Sequence, residues 1–360
     1  MAKYIKTFCA FDSCRGGPPC LPSERAATGG CPYTANETVA QNVNRICAAM
    51  LLLAAVLSGT VINSVSHAAD ALQRVRIGYP SSAVSTLPFD IAKEKGFYSK
   101  AGLDAEYIQM RSALGPQAIL NGNIQFFTSP QSAINAAVAG LPLVVVLSLY
   151  RDSPWVLVTT KEITKAQDLA GKRLAISDIR SSPYYFARAG LRKLGLEEKQ
   201  VNLVTTGGTS NSFATLTTNQ VAGAVLSPPF DEKAVSLGYK KFLYLGDLAD
   251  IPYVGLFTSH AEVRANRERI RRTIAAVMNA IDWQKSNRSE AVKMIAARYQ
   301  ISSGEAERSY DTMTSSFSPD GAINMKKIRG YLNLLREERP VADDFDAEKL
   351  VDFSMLPGAR

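Results

Sequence analysis

The chain has 360 residues, of which 46% are hydrophobic and 21% charged, with 41 Lys and Arg against 33 Asp and Glu for a formal net charge of +8. This is an ordinary globular composition, with enough apolar material for a sizeable core, and it excludes disorder or a collagen-like repeat as a description of the whole. The modest basic excess favours anionic ligands weakly, and no Lys/Arg block of the nucleic-acid type occurs.

All five Cys fall in the first 47 residues (Cys9, Cys14, Cys20, Cys31 and Cys47), and the two His are His67 and His260. Residues 1–42 are rich in Gly, Pro, Ser and Thr and show no hydrophobic period. Arg45 then precedes an apolar run over 46–57, and small and polar residues lead to Ser66-His67-Ala68-Ala69-Asp70. A positive residue, a short apolar run and a small-x-small end predict a secretory signal peptide over 43–69, cut after Ala68 or Ala69. The run is too short to span a bilayer comfortably, which takes about 20 residues. The first 42 residues do not belong to such a signal, so translation is expected to start downstream, at Val43 or Met50. The Cys spacing there matches no zinc pattern. Cleavage leaves a thiol-free exported chain in which His260 is the sole imidazole.

The rest has a two-part rhythm. Residues 75–79 read as a strand, 87–98 as a helix, 103–109 as an alternating strand, 124–128 as a strand and 130–139 as a helix closed by Gly140. Residues 143–149 are almost continuously apolar, as a strand buried on both faces should be, and 155–159 form another. The grammar then restarts, with strands at 173–177, 201–205, 223–226 and 242–245 and helices at 183–194, 210–218 and 229–237. A strand at 253–258 returns to the first half. Alternating strands and helices imply parallel α/β sheets with crossovers, here in two lobes. From Ala261 onward only helices are expected, over 270–285, 290–299, 303–315 and 325–338, packed on the first lobe and behind the hinge. The basic stretch 264–272 reads as the solvated face of a helix.

With one imidazole and no thiol after the signal, most catalytic constellations cannot be built. A Ser-His-Asp triad could use only His260, which reads as a helix N-terminus. Structural zinc has no Cys or His cluster, no phosphate-binding Gly-rich loop with Lys occurs, and Gly207-Gly208 is too weak for a dinucleotide loop. No cofactor is expected. What stands out are hydroxyls just after strands, at helix starts: Ser81-Ser82 with Ser85-Thr86, Ser129-Pro130-Gln131-Ser132, Ser181-Ser182-Pro183-Tyr184, Thr209-Ser210-Asn211 and Ser227-Pro228-Pro229. In open α/β sheets ligands bind beyond the C-terminal strand ends, where helix N-termini offer free N–H groups to an anion. Each Ser or Thr equally reads as a plain N-cap, and each Pro as a first helical residue. Tyr79, Tyr184 and Tyr253 also fall near strand ends.

Five stretches carry a resemblance: Ile77-Gly78-Tyr79, Ala92-Lys93-Glu94-Lys95-Gly96-Phe97-Tyr98, Ala101-Gly102-Leu103-Asp104, Asp168-Leu169-Ala170-Gly171-Lys172-Arg173 and Leu191-Arg192-Lys193-Leu194-Gly195-Leu196. Over about residues 74–340 the chain resembles the solute-binding proteins of ABC importers for nitrate, taurine and aliphatic sulfonates, within the group of the thiamine-pyrimidine-synthase-like fold. The resemblance implies an α/β, two-lobed type II periplasmic-binding-protein fold with a C-terminal helical segment. It places lobe 1 at 70–155 and 255–360 and lobe 2 at 156–254. It implies a periplasmic monomer, not an enzyme, that holds a small organic anion such as a sulfonate, taurine or nitrate and hands it to permease subunits in the membrane, with no nucleic-acid partner. By matching positions Ser82, Ser129, Gln131, Ser182 and Ser227 face the cleft. Basic side chains often help hold the anion in such binders, and Arg180 is the nearest candidate, Arg151 a weaker one. The full candidate set is Ser81, Ser82, Ser85, Ser129, Gln131, Ser132, Arg180, Ser181, Ser182, Ser227 and Tyr253. The alternative is a non-transport enzyme or sensor on the same fold acting on a pyrimidine-like metabolite. The enzymatic branch uses a Cys-rich motif that this chain lacks beyond residue 47.

Overall fold

The computed structural model describes residues 71–358. The expected leader and signal peptide, with every Cys and His67, lie outside the described residues. Four strands come first: β1 (Gln73–Tyr79), β2 (Leu103–Gln109), β3 (Phe126–Phe127) and β4 (Leu143–Ser148). Five follow: β5 (Val156–Thr159), β6 (Arg173–Ile176), β7 (Asn202–Thr205), β8 (Gly223–Leu226) and β9 (Lys240–Tyr244). β10 (Gly255–Ser259) then returns to the first group. The strands make two separate five-stranded sheets, ordered β2-β1-β3-β10-β4 and β7-β6-β8-β5-β9.

In each sheet the crossover pairs run parallel, and the strand that arrives from the other sheet runs antiparallel to its neighbours. β10 is antiparallel to β3 and β4, and β5 to β8 and β9. The chain therefore passes between the sheets twice, after β4 and before β10. β4 is buried at all six positions, which is why it reads as Leu-Val-Val-Val-Leu-Ser with no alternation. β10 fits beside it because Gly255 has no side chain: a Cβ there would stand 2.0 Å from the Leu147 carbonyl oxygen.

Twelve helices are described, α1 (Leu87–Glu94), α2 (Phe97–Lys100), α3 (Gly115–Leu120), α4 (Pro130–Val138), α5 (Ser182–Lys193), α6 (Thr209–Thr217), α7 (Phe230–Ser236), α8 (His260–Ala265), α9 (Arg267–Ser286), α10 (Arg288–Tyr299), α11 (Ser303–Ser315) and α12 (Met325–Arg336). The single helix expected over 87–98 is two, because Gly96 adopts a left-handed conformation (φ 72°) that ends α1. α3 has no counterpart in the sequence reading: its Gly115-Pro116 start resembles a break, yet Pro suits the first turn of a helix.

The C-terminal helices reach both sheets' layers. α9 packs on α1 and α2, and α11 contacts α7. Arg308 on α11 bonds Glu232 on α7 at 2.6 Å, and Arg188 and Arg192 of α5 bond Glu338 and Glu337 just past α12. In the basic stretch 264–272, Arg264, Arg267 and Arg271 are exposed, as a solvated face requires, and the other two Arg are engaged within the fold. Arg269 pairs with Glu262, and Arg272 donates to Gln73 Oε1 at 2.6 Å. Among the described residues no helix is long and apolar enough to cross a membrane.

Candidate functional site

The C-terminal strand ends of the two sheets face a common cavity of about 70 Å³. At ~10–15 Å³ per water by this measure, that is room for a handful of water-sized groups. The first sheet supplies residues that follow β1 and β3: Ser81, Ser85, Thr86, Thr128, Ser129 and Gln131. The second supplies residues that follow β6, β7 and β8: Ser177, Asp178, Ser181, Ser182, Gly208, Thr209 and Ser227. Trp155 and Tyr253, from the two passages between the sheets, line the space where they meet. At Gly208 an added Cβ would lie only 3.6 Å from the Ser81 hydroxyl of the opposite side.

Three helices, α4, α5 and α6, begin at this cavity, and their starts offer backbone N–H groups and positive dipole ends. Ser129 and Ser181 occupy the N-cap positions of α4 and α5, yet neither side chain makes a capping hydrogen bond. Ser181 Oγ instead donates to the Asp178 carbonyl at 2.5 Å, and Ser129 Oγ accepts from Ser132 Oγ at 3.1 Å. In the C-terminal helices, away from the cavity, Ser259, Ser302 and Asn324 do cap, accepting from Glu262, Glu305 and Lys326 backbone N–H.

Five polar atoms of the lining have no hydrogen-bond partner: Ser81 Oγ, Thr128 Oγ1, Gln131 Oε1, Trp155 Nε1 and Ser227 Oγ. Thr128 and Gln131 are 2% exposed, Trp155 5% and Ser227 0%. A buried polar group left unpaired costs about 1–3 kcal/mol; nine further such atoms lie elsewhere among the described residues, away from this cavity. These five line one cavity and form a hydrogen-bonding shell around it. Trp155 can only donate, and the hydroxyls can do either. Burial pushes the Tyr253 hydroxyl up to about 12, so it stays a neutral donor.

A smaller chamber of about 50 Å³ adjoins, sharing Thr86 and Thr128 with the first and lined further by Tyr79, Ser82, Phe89, Asp90, Tyr107 and Arg298. Arg298 pairs with Asp90 at 2.6 Å and also with Glu94. Burial pushes the Asp90 carboxyl up to about 6 even though the Arg298 guanidinium draws it down.

Of the candidate residues, Ser81, Ser85, Ser129, Gln131, Ser181, Ser182, Ser227 and Tyr253 line the main cavity. Ser82 lines the adjoining chamber, and Ser132 stands behind Ser129. Arg180 does not line either space. It sits at φ 61°, and its carbonyl accepts from Asn135 Nδ2 at 3.2 Å. Arg151 pairs with Asp152 at 3.1 Å beside a different pocket. Sequence reasoning missed Trp155, Asp178 and Thr128. Thr128 and Asp178 lie within two residues of a strand's C-terminal end, the signal by which the serines were found, but neither is a helix-start Ser; Trp155 stands just before β5 and carries no such signal. His260 opens α8 and lines neither chamber. Among the described residues no cluster of three His, Cys, Asp or Glu could hold a metal ion.

Comparison with known proteins bears on the fold. The sequence model described as NMT1/THI5 like matches residues 84–291. No curated protein sequence matches the chain. Among solved structures, the alkanesulfonate-binding protein SsuA from Xanthomonas axonopodis pv. citri, bound to MOPS, is similar with TM-score 0.64 at 18% identity, over 78% of this chain and 98% of that one. The periplasmic nitrate-binding protein NrtA from Synechocystis PCC 6803 is similar with TM-score 0.66 at 16% identity, over 79% of this chain and 87% of that one. DszB in complex with biphenyl-2-sulfinic acid is similar with TM-score 0.52 at 17% identity, over 75% of this chain and 95% of that one. The α/β architecture of two sheets is thus the periplasmic-binding-protein fold.

Proposed function

Because the chain belongs to the NMT1/THI5-like family, we propose that it is the solute-binding component of an ABC importer, capturing a small organic anion in the cavity between its two sheets. The observation that carries this reading is the set of unpaired buried donors on Ser81, Thr128, Trp155 and Ser227, beside the starts of α4, α5 and α6. Neutral donors and helix N-termini can hold an anion without a cation. Binding proteins for alkanesulfonate and nitrate share the fold, so sulfonates, taurine and nitrate are the first ligands to try. Residues 70–155 with 255–360 would form one lobe and 156–254 the other, and ligand would favour the closed arrangement by touching both. The chain would act as a periplasmic monomer, delivered by the signal at 43–69, and would present its cargo to membrane permease subunits.

A second reading, an enzyme or sensor on this fold acting on a pyrimidine-like metabolite, draws on the similarity to DszB, whose complex holds a sulfinic acid. Against it, neither chamber is lined by a Cys or His nucleophile or base. The deciding experiment is native mass spectrometry of the purified protein with a thermal-shift screen of alkanesulfonates, taurine, nitrate, small carboxylates and pyrimidines. Stabilisation by an anion that is recovered unchanged supports capture. Stabilisation by none of the anions, or turnover of a bound compound, overturns it.

A further inference from the structure

Asp178 is the single charged side chain among the described residues that line the main cavity. A carboxylate there is the wrong sign for an anion site. Like charges about 6 Å apart, in a medium of effective dielectric constant about 20–40, repel enough to weaken binding roughly 10- to 100-fold. The structure answers this charge from the other side of the cleft. Arg111 Nη2 donates to Asp178 Oδ1 at 2.8 Å, and Arg111 Nε donates to Asp178 Oδ2 at 3.1 Å. This is the two-pronged pairing that suits a guanidinium to a carboxylate.

Arg111 follows β2 of the first sheet, and Asp178 follows β6 of the second. The loop bearing Asp178 is gripped at a second point, where Asn135 of α4 donates to the Arg180 carbonyl. Asn135 is itself held by Tyr331 and Arg339, each at 2.9 Å. Asp178 Oδ1 also accepts from the Ile179 backbone N–H at 3.0 Å on its own side, so the cation paired with it, Arg111, comes from across the cleft.

We propose that the Arg111–Asp178 pair couples lobe closure to anion capture: closure brings the guanidinium that cancels the one negative charge facing the ligand. This rests on the anion reading given above. The pair is two-pronged, with the Asp178 side chain 13% exposed and that of Arg111 58%, so it also ties the two sides together. Arg111 acts chiefly through the charge it removes from the cavity wall, so its effect should vanish with Asp178.

The test is calorimetric titration of ethanesulfonate, taurine and nitrate into wild type, Arg111→Met, Asp178→Asn and the double variant, with small-angle scattering of each ligand-free protein at low salt. Both positions are on loops, and Arg111 is largely exposed, so folding should survive. Arg111→Met should weaken the best-bound probe about tenfold. Asp178→Asn should tighten it, and in that background Arg111→Met should cost less than about threefold. An equal loss in both backgrounds overturns the proposal, since Arg111 would then hold the anion itself. No loss in either also overturns it. If wild type binds none of the probes, the functional reading fails, and scattering decides the pair: a larger radius of gyration in both single variants supports an interlobe tie, and unchanged profiles overturn it.

Discussion

Ser132 Oγ donates to Ser129 Oγ across 3.1 Å, although Ser129 stands where its hydroxyl could have closed the start of α4. With its oxygen already accepting, the Ser129 hydroxyl keeps its own proton free to point into the cavity. Ser132 is thus a positioning residue and Ser129 a contact. Ser129→Ala should weaken binding of a stabilising anion about tenfold, the value of one good hydrogen bond at ~1.4 kcal/mol. Ser132→Ala should cost about threefold. Titration calorimetry on both decides the matter, and a larger loss from Ser132→Ala than from Ser129→Ala would reverse the roles.

Ser227 gives a prediction of opposite signs. Its hydroxyl is fully buried and unpaired in the ligand-free structure. Removing it relieves an unsatisfied polar group, worth about 1 kcal/mol or more, while leaving only a hydroxyl-sized gap beside an existing cavity. Ser227→Ala should therefore raise the melting temperature of the free protein and weaken ligand binding together. A variant that is both less stable and unchanged in affinity would mark Ser227 as ordinary core.

The strands were legible because burial writes itself into residue type. The unbroken apolar run of β4 and the alternation that opens β2, with buried Leu103 and Ala105 around exposed Asp104, follow from which faces are covered. The missed helix α3 shows the limit, since Gly115-Pro116 reads locally as a break and becomes a helix start only once the chain packs under Phe127, whose ring leaves no room for a Cβ at Gly115. The site divides in the same way. Hydroxyls at helix starts are local and were found. The roles of Arg111, Asp178 and Trp155 exist only across the cleft or where two chain passages meet, and no spacing along the sequence encodes them. Arg180 was chosen for charge and proximity, but its backbone is left-handed, and it is its carbonyl that bonds to α4.

Gly255 is needed for closeness. A Cβ there would meet the Leu147 carbonyl oxygen at 2.0 Å and two further backbone atoms at 2.9 Å. Neither can move without parting β10 from β4, the contact that returns the chain to the first sheet. Overpacking of this kind costs about 1–3 kcal/mol, and the upper end applies where the obstacle is backbone. Gly255→Ala should lower the urea midpoint without changing the slope of the transition, and an unchanged midpoint would mean that β10 shifts freely.

Asp90 supplies a pH signature. Its carboxyl is raised from 3.8 to about 6, first by burial, with Arg298 opposing. In the interval between those values the folded chain binds this proton more tightly than the unfolded chain does. The contribution of Asp90 to stability is therefore greatest below about pH 4, falls as pH rises to about 6, and is level above that. The full change is roughly 3 kcal/mol, from about 1.4 kcal/mol per unit. Other carboxylates act in the reverse direction, Glu232 being held low by Arg308 and Lys241 despite its burial, so the bulk pH profile hides the effect. Subtraction exposes it. Asp90→Asn keeps Glu94 as a partner for Arg298 and cannot titrate. The stability of wild type minus that of Asp90→Asn, from urea unfolding at pH 4, 5, 6 and 7, should decline steadily by up to roughly 3 kcal/mol and then flatten. A difference that is constant over this range, or that grows with pH, would mean the Arg298 guanidinium outweighs burial and the small chamber holds an ionised carboxylate at every pH.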